Sequence, residues 1–429
     1  MCNHTFDTTI YYNLLFLREK PLINESAAIY IFSHIRLTQM ISTAICLLVT
    51  ACGNGGNGSS TGAAPDQSAL SNVARLGETI FKDTSLSASG SMSCESCHSP
   101  SFAYAQPNIL AVPLGGAALD QSGFRNTPSL KYLQSNPAFF FDAEGTPTGG
   151  FNRDGRANSL AEQARRPFLA AHEMANASAA DVISRLSRAS YAADFKRHFG
   201  ERIFDDPAAA FDRVTLALAQ YQKEDADFRP FDSKYDAFLA GRVRLSDQEL
   251  RGLSLFNSPA KGNCAACHIS TKSTDGSPPL FTDFTYDNIG VPRNRAIAAT
   301  ADENYFDLGL CGPDRQDLKG RSDLCGAFKV PTLRNVANTA PYFHNGRFAT
   351  LREVVAFYIR RDTHPEEWYP RNVDGSVKKF DDLPAEFHKN VNISEAPYNR
   401  KPGDVPALND AEINDVVAFL NTLTDGFKP

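Results

Sequence analysis

The sequence has no long hydrophobic run, little methionine and a single tryptophan, and each shortage limits what the chain can be. No stretch approaches the ~20 consecutive apolar residues that a membrane-spanning helix needs. Basic residues are not in excess either, because the net charge is −6, and this argues against a nucleic-acid partner. The 429 residues otherwise have the composition of a globular protein, at a length that predicts about two domains.

The N-terminus has the pattern of an export signal. Arg36 precedes a short apolar segment, residues 40–51, which is too short to span a bilayer and suits the hydrophobic region of a signal peptide. The sequence VTAC at its end resembles a bacterial lipoprotein box. We therefore expect a signal peptide over residues 1–52, with Cys52 as the lipidated first residue; cleavage at the small residues alone is the alternative.

Two further segments belong to this N-terminal region. Residues 1–35 fit no targeting pattern and are interpreted as an upstream mis-annotated start. Residues 53–68 are rich in Gly and Ser, which predicts a flexible tether. The expected location is the periplasm of a Gram-negative bacterium, with membrane attachment through the lipid anchor only.

Two C-x-x-C-H motifs, at residues 94–98 and 264–268, carry the strongest chemical signal. Two thiols three positions apart can bond the two vinyl groups of a haem, and the adjacent histidine then reaches the iron. One such pentapeptide can be an accident, but two in an exported chain predict two covalently bound haem c groups. The motif residues are Cys94, Cys97 and His98 in the first site, and Cys264, Cys267 and His268 in the second.

The remaining cysteines have separate explanations. Cys2 and Cys46 lie upstream of the expected cleavage. Cys311 and Cys325 flank a loop rich in Gly and Asp, where an oxidising compartment favours a disulfide. Closing a loop of that size stabilises a protein by about 3 kcal/mol. A zinc site would need partner residues that the neighbouring sequence does not offer.

Helical periodicity surrounds both motifs and predicts a mainly α fold. A helix is expected before the first motif and another before the second, where Ser246 and Glu249 form a capping box. A third opens at Asn409 with Glu412 and closes the chain. We therefore expect two cytochrome c-like haem domains with long irregular loops, at residues 69–239 and 240–429. The apolar positions are Leu76, Ile80 and Phe81, then Leu250, Leu253 and Phe256, then Ile413, Val416, Val417, Leu420 and Leu423.

The scarcity of methionine constrains the second haem. Only four methionines exist, and none follows Met174. The second haem therefore cannot have His/Met ligation from within its own domain, the arrangement of many cytochrome c electron carriers. Another donor or an open position must face His268. From the residues alone, His344, His364, His388 and several tyrosines remain candidates.

Five longer segments resemble the bacterial di-haem cytochrome c peroxidase and MauG family, over essentially all of residues 70–426. Several of them are long and specific to the family, and the chain is identified as a member on that basis. The segments are LGETIFKDTSLSASGSMSCESCH, FRNTPSL, DGRANSLAEQARRPFLAAHEM, FTYDNIGVPRN and FKVPTLRNVANTAPYFHNGRFATLREVVAFY.

The resemblance assigns roles at the first haem. A glutamine, a proline and a glutamate of the family pocket fall on Gln163, Pro167 and Glu173. Glu173 would move the protons of hydrogen peroxide, while Gln163 would act directly or orient Glu173 or a water. A solvated helix glutamate is the plainer alternative for Glu173. The distal histidine of related peroxidases would lie near Ala118, where none is present, so an open MauG-like first haem is expected.

At the second haem the resemblance places the sixth iron ligand on Tyr358, where MauG has tyrosine and other members have methionine. A histidine ligand such as His344, with Tyr358 merely packed in a helix, is the alternative; His344 is otherwise expected to pack near this haem. The resemblance also implies one calcium ion between the haems. It would be held by Asn126, Thr339 and Pro341, an oxygen-only set that suits calcium.

The chain departs from the family at two positions. Arg153 stands where the family has a tryptophan between the haems, and Gly262 stands where MauG has a surface tryptophan. The usual electron route is therefore in doubt. Trp368 is interpreted as a core anchor rather than a radical relay, because aromatic residues mostly serve burial. His172, beside Glu173, is interpreted as a surface histidine.

The leading hypothesis is an oxidoreductase that reacts with hydrogen peroxide at the first haem, forms high-valent iron and oxidises a periplasmic partner protein. The alternative within the family is a cytochrome-c peroxidase that draws electrons from a small cytochrome or cupredoxin. A non-enzymatic di-haem electron carrier is the alternative from another class. A carrier would gain nothing from an open iron beside an acid–base carboxylate.

Overall fold

Helices make up most of the regular structure in residues 70–429, the part of the chain that this computed structural model describes. The signal segment, Cys52 and the tether lie outside these residues. No helix among residues 70–429 is both long and apolar enough to cross a membrane. The helices are α1 (Asn72–Lys82), α2 (Cys94–Cys97), α3 (Leu160–Leu169), α4 (Ala179–Leu186), α5 (Ala192–Phe199), α6 (Pro207–Glu224), α7 (Lys234–Leu239), α8 (Asp247–Asn257), α9 (Leu351–Arg360) and α10 (Asp410–Asn421).

Sheet structure is confined to short antiparallel pairs, and most remaining residues form loops and single 3-10 turns. The expectation of a mainly helical fold with long irregular loops is confirmed at this level. The pairs are β1 (Leu114–Gly115) with β2 (Gln121–Ser122), β3 (Phe140–Phe141) with β4 (Pro147–Thr148), and β5 (Tyr286–Asp287) with β6 (Phe328–Lys329).

The predicted helix starts are confirmed by their caps. Ser246 accepts from the Glu249 N–H while the Glu249 carboxylate accepts from the Ser246 N–H, which closes a capping box at α8. Asn409 and Glu412 do the same at α10. The prediction that Leu250 lies on the apolar face of α8 was wrong. Leu250 is 42% exposed, because α8 buries the face that carries Gly252 and Phe256.

The first apolar cluster forms where α1 crosses α6. A Cβ at Gly77 would lie 2.0 Å from the Ala217 carbonyl oxygen, so the two backbones meet at a distance that only glycine permits. Phe81 packs edge-on against Tyr221 of α6, with ring centroids 5.6 Å apart. Helices α3, α4 and α5 add side chains to the same cluster. The cluster fixes α1 immediately before the first haem motif.

The second cluster repeats this arrangement with α8 and α10. A Cβ at Gly252 would lie 1.9 Å from the Asp415 carbonyl oxygen, so these helices also cross backbone to backbone. Phe256 and Phe419 pack at 5.1 Å. Helix α7, which the predicted boundary near Ala240 places in the N-terminal domain, contributes Tyr235 to this second cluster. The same device thus positions both motifs.

Candidate functional site

The first C-x-x-C-H motif forms one helical turn, α2, at the edge of the first cluster. His98 caps that turn, and its Nδ1 lies 2.9 Å from the Tyr104 carbonyl oxygen. A carbonyl only accepts, so Nδ1 carries the proton and the lone pair is on Nε2, the form that binds iron. Burial lowers the pKa of His98 to about 4, which keeps the ring neutral.

The second motif has the same internal geometry. A single turn over Cys264–Ala266 begins at the first cysteine, and Cys267 follows it. His268 Nδ1 lies 2.8 Å from the Phe281 carbonyl oxygen. Burial lowers the pKa of His268 as well. Both histidines therefore present a neutral ring whose Nε2 carries the lone pair that can bind iron. Two thiols and one such imidazole at each site fit a covalently attached haem.

The acceptor carbonyls are functional groups that sequence reasoning missed. Tyr104 and Phe281 both have φ of +55°, in the left-handed region, and this turns each carbonyl towards its histidine. Ser129 donates to the Ala103 carbonyl, and Thr332 donates to the Leu280 carbonyl, which holds the two turns in place. The only sequence signal is the repeated Pro-Ser/Thr-Leu of the FRNTPSL and FKVPTLR segments.

The three predicted pocket residues of the first haem line one cavity of about 310 Å³, together with the first motif. Gln163 and Pro167 lie one turn apart on α3, which starts at the cap residue Ser159. Proline has no N–H, so the Gln163 carbonyl lacks the usual helical donor. The loop after α3 brings Glu173 to the same cavity, and Gly116 beside β1 donates to the Glu173 carbonyl at 2.8 Å.

The Glu173 carboxyl has an unpaired oxygen and a raised pKa. Its Oε2 atom is buried without a hydrogen-bond partner among the described residues. Burial raises the pKa of Glu173; the charges of Arg166 and Arg156 act in the opposite direction, and Asp314 adds to the rise. A carboxyl with a raised pKa and an unused oxygen is better suited than an ordinary surface glutamate to take and return a proton.

The sequence analysis also singled out His172 and the position near Ala118. His172 is not on the surface: its side chain is 17% exposed, lines the cavity and packs edge-on against Phe124, so that interpretation was wrong. Its Nε2 lies 3.7 Å from Glu173 Oε1, and burial lowers the His172 pKa. Ala118 lies at the exposed tip of the β1–β2 hairpin.

Tyr358 lies near the second motif. It sits in α9 with its ring between Phe343 and Tyr398, at centroid distances of 5.7 and 6.1 Å. Burial raises the Tyr358 pKa, and the neighbouring Asp287 and the thiols of Cys267 and Cys264 raise it further. The phenol is thus close enough to both motif cysteines to interact with them electrostatically.

The three alternative histidine ligands have other partners. His344 stacks on Phe328 at 3.7 Å, and its carbonyl accepts from the Asn126 N–H. The His364 Nδ1 lies 2.9 Å from the Thr363 hydroxyl, and the His388 Nε2 lies 3.0 Å from the Leu383 carbonyl.

The residues implied for calcium do not fit a divalent cation. Arg153 donates from Nε to the Asn126 carbonyl at 3.0 Å and from a terminal nitrogen to Asn126 Oδ1 at 2.7 Å. The oxygen meant for the ion therefore already faces a cationic group. The carboxylates of Asp154 and Asp307 are both bonded to Arg125. Thr339 and Pro341 line the same cavity as Asn126.

A loop from the C-terminal half reaches the first site. A disulfide joins Cys311 and Cys325 across 14 residues, with the Cα atoms 5.0 Å apart. Within this loop Asp314 accepts from Arg166 of α3 at 2.6 Å. Asp314 also lies 3.5 Å from Arg156. The charges that face Glu173 are therefore fixed by a loop about 140 residues further along the chain.

Gly262 and Trp368 both have structural roles. Gly262 donates its N–H to the Leu255 carbonyl, which ties the second motif to the end of α8. Trp368 packs edge-on against Phe348 and Phe357, with centroids 5.7 and 5.6 Å away. Its Nε1 is buried without a hydrogen-bond partner among the described residues. These contacts are those of a core anchor.

Two C-x-x-C-H turns with neutral, oriented histidines define the class of protein as a di-haem c-type cytochrome. The chain is 36% identical over 363 residues to the methylamine utilization protein MauG of Paracoccus denitrificans, covering 82% of this chain and 88% of that protein. It is 32% identical over 284 residues to the cytochrome c551 peroxidase of Nitrosomonas europaea, covering 66% and 71%.

Family and structure comparisons agree with these relatives. The family model "Di-haem cytochrome c peroxidase" matches residues 71–244. The crystal structure of the diheme peroxidase BthA from Burkholderia thailandensis is similar with a TM-score of 0.76 at 40% identity, covering 82% of this chain and 86% of that chain. The chain belongs to the di-haem cytochrome c peroxidase and MauG family, as the sequence predicted.

Membership makes the chain an oxidoreductase that acts as a di-haem peroxidase. The family implies two haem c groups, peroxide as substrate and a redox partner. The electron-carrier alternative is therefore not retained.

Proposed function

We propose that this protein is a MauG-like peroxidase of the periplasm, which reduces hydrogen peroxide at the first haem and takes the electrons from a partner protein or a small redox donor. The overall balance is one peroxide, two protons and two electrons to two waters. The bound haem supplies the iron that binds and activates the peroxide. The observation that carries the proposal is the contrast between Glu173 at the first site and Tyr358 at the second.

Glu173 is proposed as the general acid–base. Its Oε2 has no other partner among the described residues, and it lines the cavity that contains His98. Peroxide cleavage needs one group that takes a proton from one oxygen and returns it to the other, which leaves as water. The raised pKa of Glu173 favours both transfers, because the carboxyl holds a proton more readily than an ordinary glutamate. Pro167 shapes the cavity wall, and Gln163 holds a water or the peroxide beside Glu173.

Tyr358 is proposed as the sixth ligand of the second haem. A buried phenol with a raised pKa stays protonated at neutral pH unless a cation faces it, and ferric iron is such a cation. A phenolate favours ferric iron over ferrous iron, so the midpoint potential of the second haem is expected to be low. Such a haem suits the storage of an oxidising equivalent better than the acceptance of electrons from a high-potential donor.

The state of the first haem distinguishes the MauG-like enzyme from a cytochrome-c peroxidase that needs prior reduction. We expect the fully ferric holoprotein to show a high-spin first haem and to react with peroxide at once. His172 lines this cavity in addition to the motif histidine His98, so a low-spin first haem that becomes high-spin in His172→Ala would identify His172 as a ligand. A first haem that reacts only after reduction would favour the second candidate.

The assignment of Tyr358 is tested by EPR and potentiometry. Tyr358→Phe should change the low-spin signal, and Tyr358→His should keep a low-spin haem and raise its potential by a fraction of the ~0.8 V that axial ligands span. Tyr398→Phe is the matched control, because its ring lies beside that of Tyr358. A signal that changes in Tyr398→Phe and not in Tyr358→Phe would assign the ligand to Tyr398.

Attachment to the membrane through Cys52 is proposed from the lipoprotein box alone. Cys52→Ala should release the protein from the membrane fraction, because one covalent diacylglycerol would be its anchor. A protein that stays membrane-bound after this change is held by something else.

A further inference from the structure

Arg153 lies at the junction between the two halves, where the family is expected to hold calcium. Its guanidinium bonds both oxygens of Asn126. Its carbonyl accepts from the Lys329 N–H of β6 at 2.9 Å, and the Asn126 N–H donates to the His344 carbonyl at 2.7 Å. Arg153 and Asn126 therefore connect the N-terminal haem region to two segments of the C-terminal half.

The bond also fixes which atom Asn126 presents. A guanidinium only donates, so the atom that faces Arg153 must be the amide oxygen. The amide nitrogen then points elsewhere, and it is buried without a partner among the described residues. A calcium ion would need the same oxygen that Arg153 occupies.

The surrounding charges also disfavour an added cation. Asp307 bonds Arg125 through both carboxylate oxygens, at 2.6 and 2.7 Å, and Asp154 bonds Arg125 at 2.7 Å. Lys329 lies in the same region and donates to the Gly150 carbonyl. Asp154 also bonds Arg156 at 2.9 Å, so both aspartates are already paired with arginines.

We propose that Arg153 is the resident cation between the two haem-binding halves, and that this protein therefore folds and works without calcium. One arginine takes the position of the family tryptophan and bonds the asparagine that would otherwise hold the ion. The proposal concerns the junction alone and is independent of the electron donor.

The first test uses the wild-type holoprotein with both haems, purified without chelator and equilibrated with calcium chloride. We expect elemental analysis to find far less than one calcium per chain after gel filtration. Thermal unfolding should be the same in calcium and in the chelator EGTA. One calcium retained per chain, or a lower unfolding temperature in EGTA, would overturn the proposal.

The second test removes the guanidinium. Arg153→Met frees Asn126 Oδ1, so we expect a lower unfolding temperature that calcium raises by about 2–4 °C at saturation. Arg153→Lys retains a cation and should stay insensitive to calcium, which keeps the test open if the methionine variant does not fold. Arg295→Met removes a surface cation paired with Glu303 and is the matched control. An Arg153→Met protein that folds but ignores calcium, or a calcium response in Arg153→Lys, would refute the replacement.

Discussion

The two haem sites are built alike on the side of the histidine and differently on the opposite side. His98 and His268 each donate to the carbonyl of an aromatic residue at the same left-handed backbone angle, and a glycine-mediated helix crossing lies beside each motif. The cavity that His98 lines also contains the Glu173 carboxyl, whose Oε2 atom is buried, whereas Tyr358 lies beside the second motif. The side of each site that carries the histidine attaches and orients the haem. The opposite side, which differs between the two sites, decides what the iron can do.

The difference is one of charge as well as of ligand. The cavity at the first site is lined by Glu173, which can exchange a proton, and by Arg156 and Arg166, which can stabilise negative charge. The second site places Tyr358 among aromatic rings, Phe343 and Tyr398, where burial keeps the phenol pKa high. The environment of the first haem site suits a reaction with substrate, and that of the second site suits a redox centre closed to substrate.

The largest effect should follow from removing the carboxylate of the first site. Glu173→Gln keeps the shape of the side chain but cannot exchange a proton, so the reaction with peroxide should slow by about 10²–10⁴. Stopped-flow absorbance measures this rate. Glu201→Gln, an exposed glutamate, is the matched control and should react like wild type. Wild-type kinetics in Glu173→Gln would remove this residue from the mechanism and leave the two sites chemically alike.

A second, smaller effect should show that the first site depends on the C-terminal half. Cys311→Ser with Cys325→Ser opens the disulfide loop, which should lower the free energy of unfolding by about 3 kcal/mol, as measured by denaturant titration. Asp314 lies in that loop, so the pH dependence of the peroxide reaction should change too. Lys319→Ser, exposed in the same loop, is the control. A loss of stability with an unchanged pH profile would mean that the loop does not position Asp314.

Local signals in the sequence predicted the elements that depend on neighbouring residues. Each of these elements involves residues within five positions of one another, and the structure contains them as expected. They are the caps of α8 and α10 and the two haem motifs. The pairing of α1 with α6 was missed, because Gly77 and Ala217 are far apart in the chain. The contact of Asp314 with Arg166 was missed for the same reason. Long-range pairings follow from packing, which periodicity does not encode.

The same limit explains the junction. The family resemblance indicates that Arg153 replaces a tryptophan and that Asn126 matches a calcium ligand. Nothing in the sequence connects these two positions. They are one feature, since the guanidinium bonds that asparagine across 27 residues. The resemblance supplied the roles of single positions. It could not supply that Arg153, which departs from the family pattern, bonds Asn126, which keeps it.

The smallest expected effect concerns the pH at which Glu173 loses its function. As a proton acceptor Glu173 must be ionised, so the rate of the peroxide reaction should fall as the pH drops through its raised pKa. Asp314 contributes to that rise and also engages Arg166. In Asp314→Asn the negative charge is gone and the arginine charges face Glu173 alone, so the Glu173 pKa should fall. The acid limb of the pH–rate profile should therefore move to lower pH, by less than about one unit, which corresponds to ~1.4 kcal/mol.

The matched control for this shift is Asp323→Asn, in the same disulfide loop, whose carboxylate is exposed and pairs with Arg321 instead. Its acid limb should coincide with that of wild type. The second site provides an internal reference, because its low-spin EPR signal and potential should not respond to either change. A shift to higher pH in Asp314→Asn would mean that Arg166, once released, moves away from Glu173 and that Asp314 holds the arginine in place. An acid limb that stays unchanged would show that another group, with His172 the nearest candidate at 3.7 Å, controls the protonation of the first site.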